Sequence, residues 1–295
     1  MSSRITAALQ AAILVLFTSL ASAAPAPQIT HIDPPRPLDQ IDPMKINNAG
    51  SVVGIWFDSS TRQQRGFYSL NNLLLPIDYL PSQQNTVAWA INDHGVVTGN
   101  AATIGFIYDK GKFTAIHKPG SGATSPNGIN NNGVITGLYS DPLFRGFLLK
   151  DGVYTTLDVP NSAGTIPWDI NDHGDVVGEF GEPLPSTVTH GFVWVNGVFT
   201  TLHVPGSTRT RAWGLNNLGQ VVGEFHDTAG KVHGFAYWKG RYASIEVPGG
   251  QFTVVKDIND WGDITGTYFD PAANVGHGFT ANVYELKDSI QLLPP

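Results

Sequence analysis

Ile170-Asn171-Asp172-His173-Gly174-Asp175-Val176-Val177-Gly178 joins a turn signal to a strand signal. Asn171 and Asp172 can bond their own backbone, Gly174 can take a positive φ, and the valine pair favours an extended chain. The frame recurs at Asn47, Asn92, Asn130, Asn216 and Asn259, each preceded by Ile or Leu, at spacings of 38 to 45 residues. Glycine follows each asparagine three residues later, at Gly50, Gly95, Gly133, Gly219 and Gly262, and again four residues beyond, at Gly54, Gly99, Gly137, Gly223 and Gly266. A Gly-Phe pair then closes every unit, at Phe67, Phe106, Phe147, Phe192, Phe235 and Phe279. Such a period identifies a repeat architecture before any local reading.

The unit from Pro167 to Pro205 reads as four strands: Trp168 to Asn171, Asp175 to Phe180, His190 to Val195 and Val198 to Val204. Asn196-Gly197 is a two-residue hairpin signal, and nothing in the unit has a helical period. One four-stranded meander cannot bury both its faces, so neighbours must stack on it. The fold expected is all-β: a six-bladed β-propeller of four-stranded antiparallel blades, with repeats starting near residues 43, 88, 126, 167, 212 and 255. Gln28-Ile29-Thr30-His31-Ile32-Asp33-Pro34 resembles a fourth strand such as Tyr154 to Pro160 but precedes the first unit. This closing strand, about 28 to 34, is therefore expected to pair with the last blade near Gly278-Phe279, while Ile290 to Pro295 covers an edge.

Arg4, an apolar run from about Ile5 to Leu20 and the small-residue site Ala21-Ser22-Ala23 predict a signal peptide over 1–23, leaving 24–295 as a single domain. The expected location is outside the cytoplasm, extracellular or periplasmic, with no membrane span in the mature chain. There is no cysteine, so stability must come from the core and not from disulfides. A net charge of −7 argues against nucleic acid as a partner. A monomer is expected.

The repeat resembles the extracellular HAF-repeat family, in which Ile-Asn-x-x-Gly-x-Val-x-Gly precedes a His-Ala-Phe-like tripeptide. Here the tripeptide reads His190-Gly191-Phe192, His233-Gly234-Phe235 and His277-Gly278-Phe279, with Arg65, Ile104 and Arg145 in place of histidine in the other units. The resemblance implies a bacterial exported protein and brings no common activity with it.

Residues that vary against the frame are the candidates for function. Acids follow the second strand at Asp58, Asp141, Glu182, Asp227 and Asp270, and a base precedes Gly-Phe at Arg65, Arg145, His190, His233 and His277. The second unit lacks both, so each acid is expected to pair with the base of its own loop. Trp89, Trp168 and Trp213 share one place, three residues before the asparagine, where Met44, Asn127 and Lys256 stand elsewhere. At the start of the innermost strand these rings would share a rim with the acids, and aromatic faces beside carboxylates suit sugars. The expected ligand-binding set is Trp89, Trp168, Trp213, Asp58, Asp227 and Asp270.

Catalysis has no nucleophile motif to rest on; the alternative is a polysaccharide hydrolase or lyase using His226, Asp227, Glu224 and Glu179. Asp169-x-Asn171-Asp172-x-Gly174-Asp175 and Asp257-x-Asn259-Asp260-x-Gly262-Asp263 look like calcium loops, but they lack the bidentate glutamate and read better as hairpin turns. Nine histidines without close ligand spacing give zinc no case, and no metal or cofactor is expected. The leading reading is a secreted, non-enzymatic binding module for carbohydrate or another cell-surface ligand; a structural scaffold is the third.

Overall fold

The computed structural model describes residues 28–71, 73–79, 85–286 and 289–294. The expected signal peptide lies outside them. All regular structure is β, with no α-helix among the described residues. A first strand, β1 (Ile29–Ile32), precedes a meander of β2 (Gln40–Ile46), β3 (Val52–Asp58), β4 (Gln63–Leu70) and β5 (Leu73–Ile77). The second meander is β6 (Thr86–Ile91), β7 (Val97–Ala101), β8 (Ile104–Asp109) and β9 (Lys112–Ile116). The third is β10 (Thr124–Ile129), β11 (Ile135–Asp141), β12 (Leu143–Lys150) and β13 (Val153–Leu157). The fourth is β14 (Gly164–Ile170), β15 (Val176–Gly181), β16 (Thr189–Val195) and β17 (Val198–Leu202), and the fifth β18 (Arg209–Leu215), β19 (Val221–His226), β20 (Val232–Trp238) and β21 (Arg241–Ile245). The sixth unit has three strands of its own, β22 (Gln251–Ile258), β23 (Asp263–Asp270) and β24 (Val275–Asn282), before a short β25 (Ile290–Leu292).

Within every unit neighbouring strands are antiparallel. The fourth and fifth units form one nine-stranded sheet, joined by a single parallel bridge between Thr189 and Arg209. β1 takes the fourth place beside β24, with His31 opposite Phe279 and Ile32 opposite Gly278. β25 pairs with β21, so the C-terminal stretch covers that strand's outer edge. Asn196 and Gly197 both have positive φ, as a tight hairpin turn requires.

Strand β14 begins at Gly164, four residues before the expected start at Trp168. Pro167 sits inside the strand at a β-bulge, where the ladder slips between Pro167 and Asp169 and no N–H is demanded of it. All six first strands carry this bulge, and the extra residues are Met44, Trp89, Asn127, Trp168, Trp213 and Lys256. The frame glycine of the second strand faces the bulge. At Gly137 a Cβ would lie 2.0 Å from the Ser125 carbonyl oxygen, so no side chain fits there.

The apolar core lies between units. Val53 and Ile77 of the first unit pack with Ala88, Ile91, Val97 and Phe106 of the second, and the other clusters repeat this sharing. The six phenylalanines of the Gly-Phe pairs are all 0% exposed.

Polar contacts tie the same neighbours. Each frame asparagine donates its Nδ2 to the backbone carbonyl of the next one: Asn47 to Asn92, Asn92 to Asn130, Asn130 to Asn171, Asn171 to Asn216, Asn216 to Asn259, and Asn259 back to Asn47, at 2.9 to 3.3 Å. Its Oδ1 meanwhile accepts two amides of its own turn, as Asn130 does from Asn132 and Val134 at 3.0 and 2.9 Å. One side chain thus shapes a turn and fastens a neighbour. Replacing Asn130 with Ala leaves the buried Asn171 carbonyl and two turn amides unpartnered, and the expected loss is about 3 kcal/mol, read as a lower urea midpoint at unchanged slope.

Candidate functional site

The bulges decide what lines the axis between the first strands. Two successive residues face one partner residue at each bulge, so the extra residue and its successor are both re-aimed. The successors are Lys45, Ala90, Gly128, Asp169, Gly214 and Asp257. Lys45 Nζ lies 2.8 Å from Asp169 Oδ2, 3.4 Å from Asp257 Oδ1 and 3.0 Å from the Trp213 carbonyl, joining four units through one buried ammonium. Asp257 uses its second oxygen as well, Oδ2 accepting the Ile46 amide at 2.9 Å, while Asp169 Oδ2 accepts the Leu215 amide at 3.0 Å beside the ammonium. Burial pushes the Asp257 carboxyl upward, with Lys45 opposing. Gly214 leaves room for it, since a Cβ there would meet Asp257 Oδ1 at 2.4 Å. Asp169 and Asp257, the first acids of the calcium-like pattern, are therefore axial ion-pair partners and not turn ligands.

Above this triad lies a second polar ring, formed by the residue after each frame asparagine. Asn48, Asp93, Asn131, Asp172, Asn217 and Asp260 alternate amide with carboxylate. Each accepts at Oδ1 the backbone N–H of the residue before it in the ring, at 2.8 to 2.9 Å. Asn48, Asn131 and Asn217 each donate Nδ2 to the carboxylates on both sides, at 2.8 to 3.1 Å. Together with Lys45, Asp169 and Asp257 they line a cavity of about 70 Å³.

The three tryptophans do meet. Trp89 and Trp168, from the second and fourth units, have ring centroids 5.7 Å apart, and Trp168 and Trp213 are 4.4 Å apart. At the bulges these rings stand against one another, and their indole partners are not the loop acids Asp58, Asp227 and Asp270. Trp213 is only 6% exposed and packs between Lys256 and Arg211, at 3.9 and 4.7 Å from its ring centre. Trp89 and Trp168 are half-buried. The Trp89 indole N–H donates to Asn100 Oδ1 and that of Trp168 to Glu179 Oε1 at 3.3 Å.

Glu179 and Glu224 occupy the place after the frame glycine in the fourth and fifth units, and Arg211 links them, 2.8 Å from Glu179 Oε1 and 3.2 Å from Glu224 Oε1. Burial raises the pKa of Glu179 while the Arg211 charge opposes it. His226 stands 4.0 Å from Glu224, but Asp227 points elsewhere, to His233 at 3.2 Å and to the amides of Ala229 and Lys231. The hydrolase set is thus divided, and Arg211 engages both of the carboxylates that remain together.

The loop acids do not join the tryptophans. Asp58 accepts from Ser60 and Thr61 of its own turn and pairs with Arg36, while Asp270 accepts the amides of Ala272 and Ala273. The bases pair with their loop acids in two units: His190 with Glu182 at 2.9 Å and His233 with Asp227 at 3.2 Å. Their more regular partner lies across the ladder, at the end of the fourth strand: Asp78 for Arg65, Asp158 for Arg145, His203 for His190, Glu246 for His233, and Asp33, just past β1, for His277. Strand pairing sets this relation, and a search confined to one loop misses it.

No family model and no curated protein matches the chain. Among solved structures, a mutant of AofleA from Arthrobotrys oligospora is 13% identical over 94% of this chain and 92% of its own, with a TM-score of 0.54. SapL1 lectin in complex with alpha methyl fucoside is 11% identical over 87% and 97%, with a TM-score of 0.48. Aleuria aurantia lectin in complex with alpha-methyl-L-fucoside is 12% identical over 82% and 91%, with a TM-score of 0.43. The first likeness concerns the course of the chain alone, and the other two are too remote to bear on this protein's ligands.

Asp58 has a structural role that pH exposes. Its hydrogen bond from Ser60, then that from Arg36, hold its carboxyl well below the ordinary 3.8. The stability it contributes is complete above that ordinary value and is lost as pH falls through the depressed one. Asp58→Asn should therefore flatten the acid side of the stability profile, measured by urea unfolding between about pH 2 and 5, and leave ligand binding unchanged.

Proposed function

We propose that the six meanders form a six-bladed β-propeller closed by β1, and that the protein is an exported, non-enzymatic carbohydrate-binding module. The HAF-repeat resemblance and the N-terminal signal pattern support export. The observation that carries the binding reading is the meeting of Trp89 and Trp168. Two half-buried indoles from non-adjacent units stand 5.7 Å apart, each N–H held by a polar side chain, beside Glu179, Glu224 and Arg211. Ring faces of this kind stack on the C–H faces of a sugar, while fixed carboxylate and guanidinium groups hydrogen-bond its hydroxyls. The binding residues proposed are thus Trp89, Trp168, Glu179, Glu224 and Arg211. Trp213 supports the cluster from within the core. Asp58, Asp227 and Asp270 hold the loops.

The test is a glycan-array screen of the mature protein from Ala24 onward, beside a Trp89→Ala/Trp168→Ala variant whose fold is checked by circular dichroism. Trp213 is left intact because it is buried. The reading expects binding to at least one glycan class, weakened by about ten-fold or more in the folded variant, since two stacking faces are lost at roughly 0.5–1.5 kcal/mol each. Absence of binding, or binding indifferent to both tryptophans, overturns it.

A further inference from the structure

The strand that takes the fourth place in the sixth unit differs from its five counterparts at one position. Opposite the buried phenylalanine the other units carry Pro76, Ala115, Thr156, Thr201 and Ser244. The closing strand carries His31 there. In the third unit Tyr139 Oη reaches Thr156 Oγ1 at 3.2 Å; in the sixth the equivalent Tyr268 Oη reaches His31 Nε2 at 3.0 Å. An imidazole thus replaces a small side chain at a position the frame keeps compact, and a tyrosine orients it.

That imidazole lies over the ring of His277, with centroids 4.8 Å apart and planes at 25°. Two residues along β1's segment, Asp33 Oδ1 is 3.5 Å from His277 Nδ1. One donor atom from each of His31, Asp33 and His277 falls within 4.8 Å of the others, a grouping found nowhere else among the described residues. In the fourth unit, by comparison, His190 spends one nitrogen on His203 and the other on Glu182, so the donors do not converge.

We propose that His31, Asp33 and His277 bind a zinc ion that fastens the closing strand to β24. Two imidazoles and one carboxylate are a borderline-soft set that suits zinc, whereas calcium and magnesium call for oxygen ligands. Donors around a tetrahedral zinc stand about 3.3 Å apart, so rotamer adjustment of exposed groups is sufficient. His31 and Asp33 are exposed, which lets the ion enter and leaves the fourth position to water. Tyr268 supplies the outer hydrogen bond that metal-bound histidines usually have. The ligands come from opposite ends of the chain, with His31 already 237 residues from Tyr268, so the ion would cross-link the termini.

The experiment uses untagged mature protein, freed of metal with a chelator and titrated with Zn²⁺ against a chromophoric competitor. One equivalent is expected to bind, with affinity at least about ten-fold lower in His31→Thr and in His277→Ala, and unchanged in His190→Ala. His31→Thr installs the side chain that the third and fourth units carry at this place, so it preserves the fold. Zinc should raise the thermal midpoint of the wild-type protein and not that of His31→Thr. Absence of saturable binding, or binding that survives in His31→Thr and His277→Ala, overturns the proposal.

Discussion

The structure depends on one side chain used six times. A primary amide is the smallest group that can accept two amides from its own turn and still donate across to a neighbour. The asparagine of each unit does all three. Aspartate could shape the turn but could not donate, and serine could not reach both amides and the neighbouring carbonyl. Because the contact is directional, each meander is fixed relative to the next at the axis, while the apolar clusters farther out supply most of the burial. The chain of asparagines returns to Asn47, which relates the sixth unit to the first although they lie at opposite ends of the sequence.

The bulges convert this regular frame into something that can carry function. A plain ladder would send alternate side chains into the inter-unit cores. The inserted residue gives each first strand two consecutive positions outside the regular alternation of the ladder. Those positions hold what varies: tryptophans, lysines, aspartates, glycines, a methionine, an asparagine and an alanine. Variation is tolerated there because the glycine opposite makes room for the bulged backbone whatever the side chain is.

The period, the strand order and the pairing of β1 with the last unit were legible in the sequence because each rests on local chemistry: a turn asparagine, a positive-φ glycine, a buried Gly-Phe. The shared place of Trp89, Trp168 and Trp213 was legible too, since it recurs at a fixed offset, but the bulge there was not, because it follows from a slip in the ladder between two strands and not from any one residue type. Lys45 with Asp169 and Asp257 could not be seen, as its members belong to three units and stand at a place where other units have glycine or alanine. The cross-strand partners of Arg65, Arg145 and the histidines were also hidden, since they follow from ladder register and not from loop neighbours. One further regularity stands in the sequence itself: the residue after each frame asparagine alternates Asn, Asp, Asn, Asp, Asn, Asp.

That alternation sets a parity rule. Every amide in the ring donates to two carboxylates, and every carboxylate receives from two amides, so the circuit balances only when the number of units is even. Insertion of one extra unit would set two carboxylates side by side, repelling and one donor short, or two amides with a donor to spare. A chain of this kind is therefore expected to lengthen or shorten by pairs, and the pair of units, amide type followed by acid type, is its natural quantum of growth.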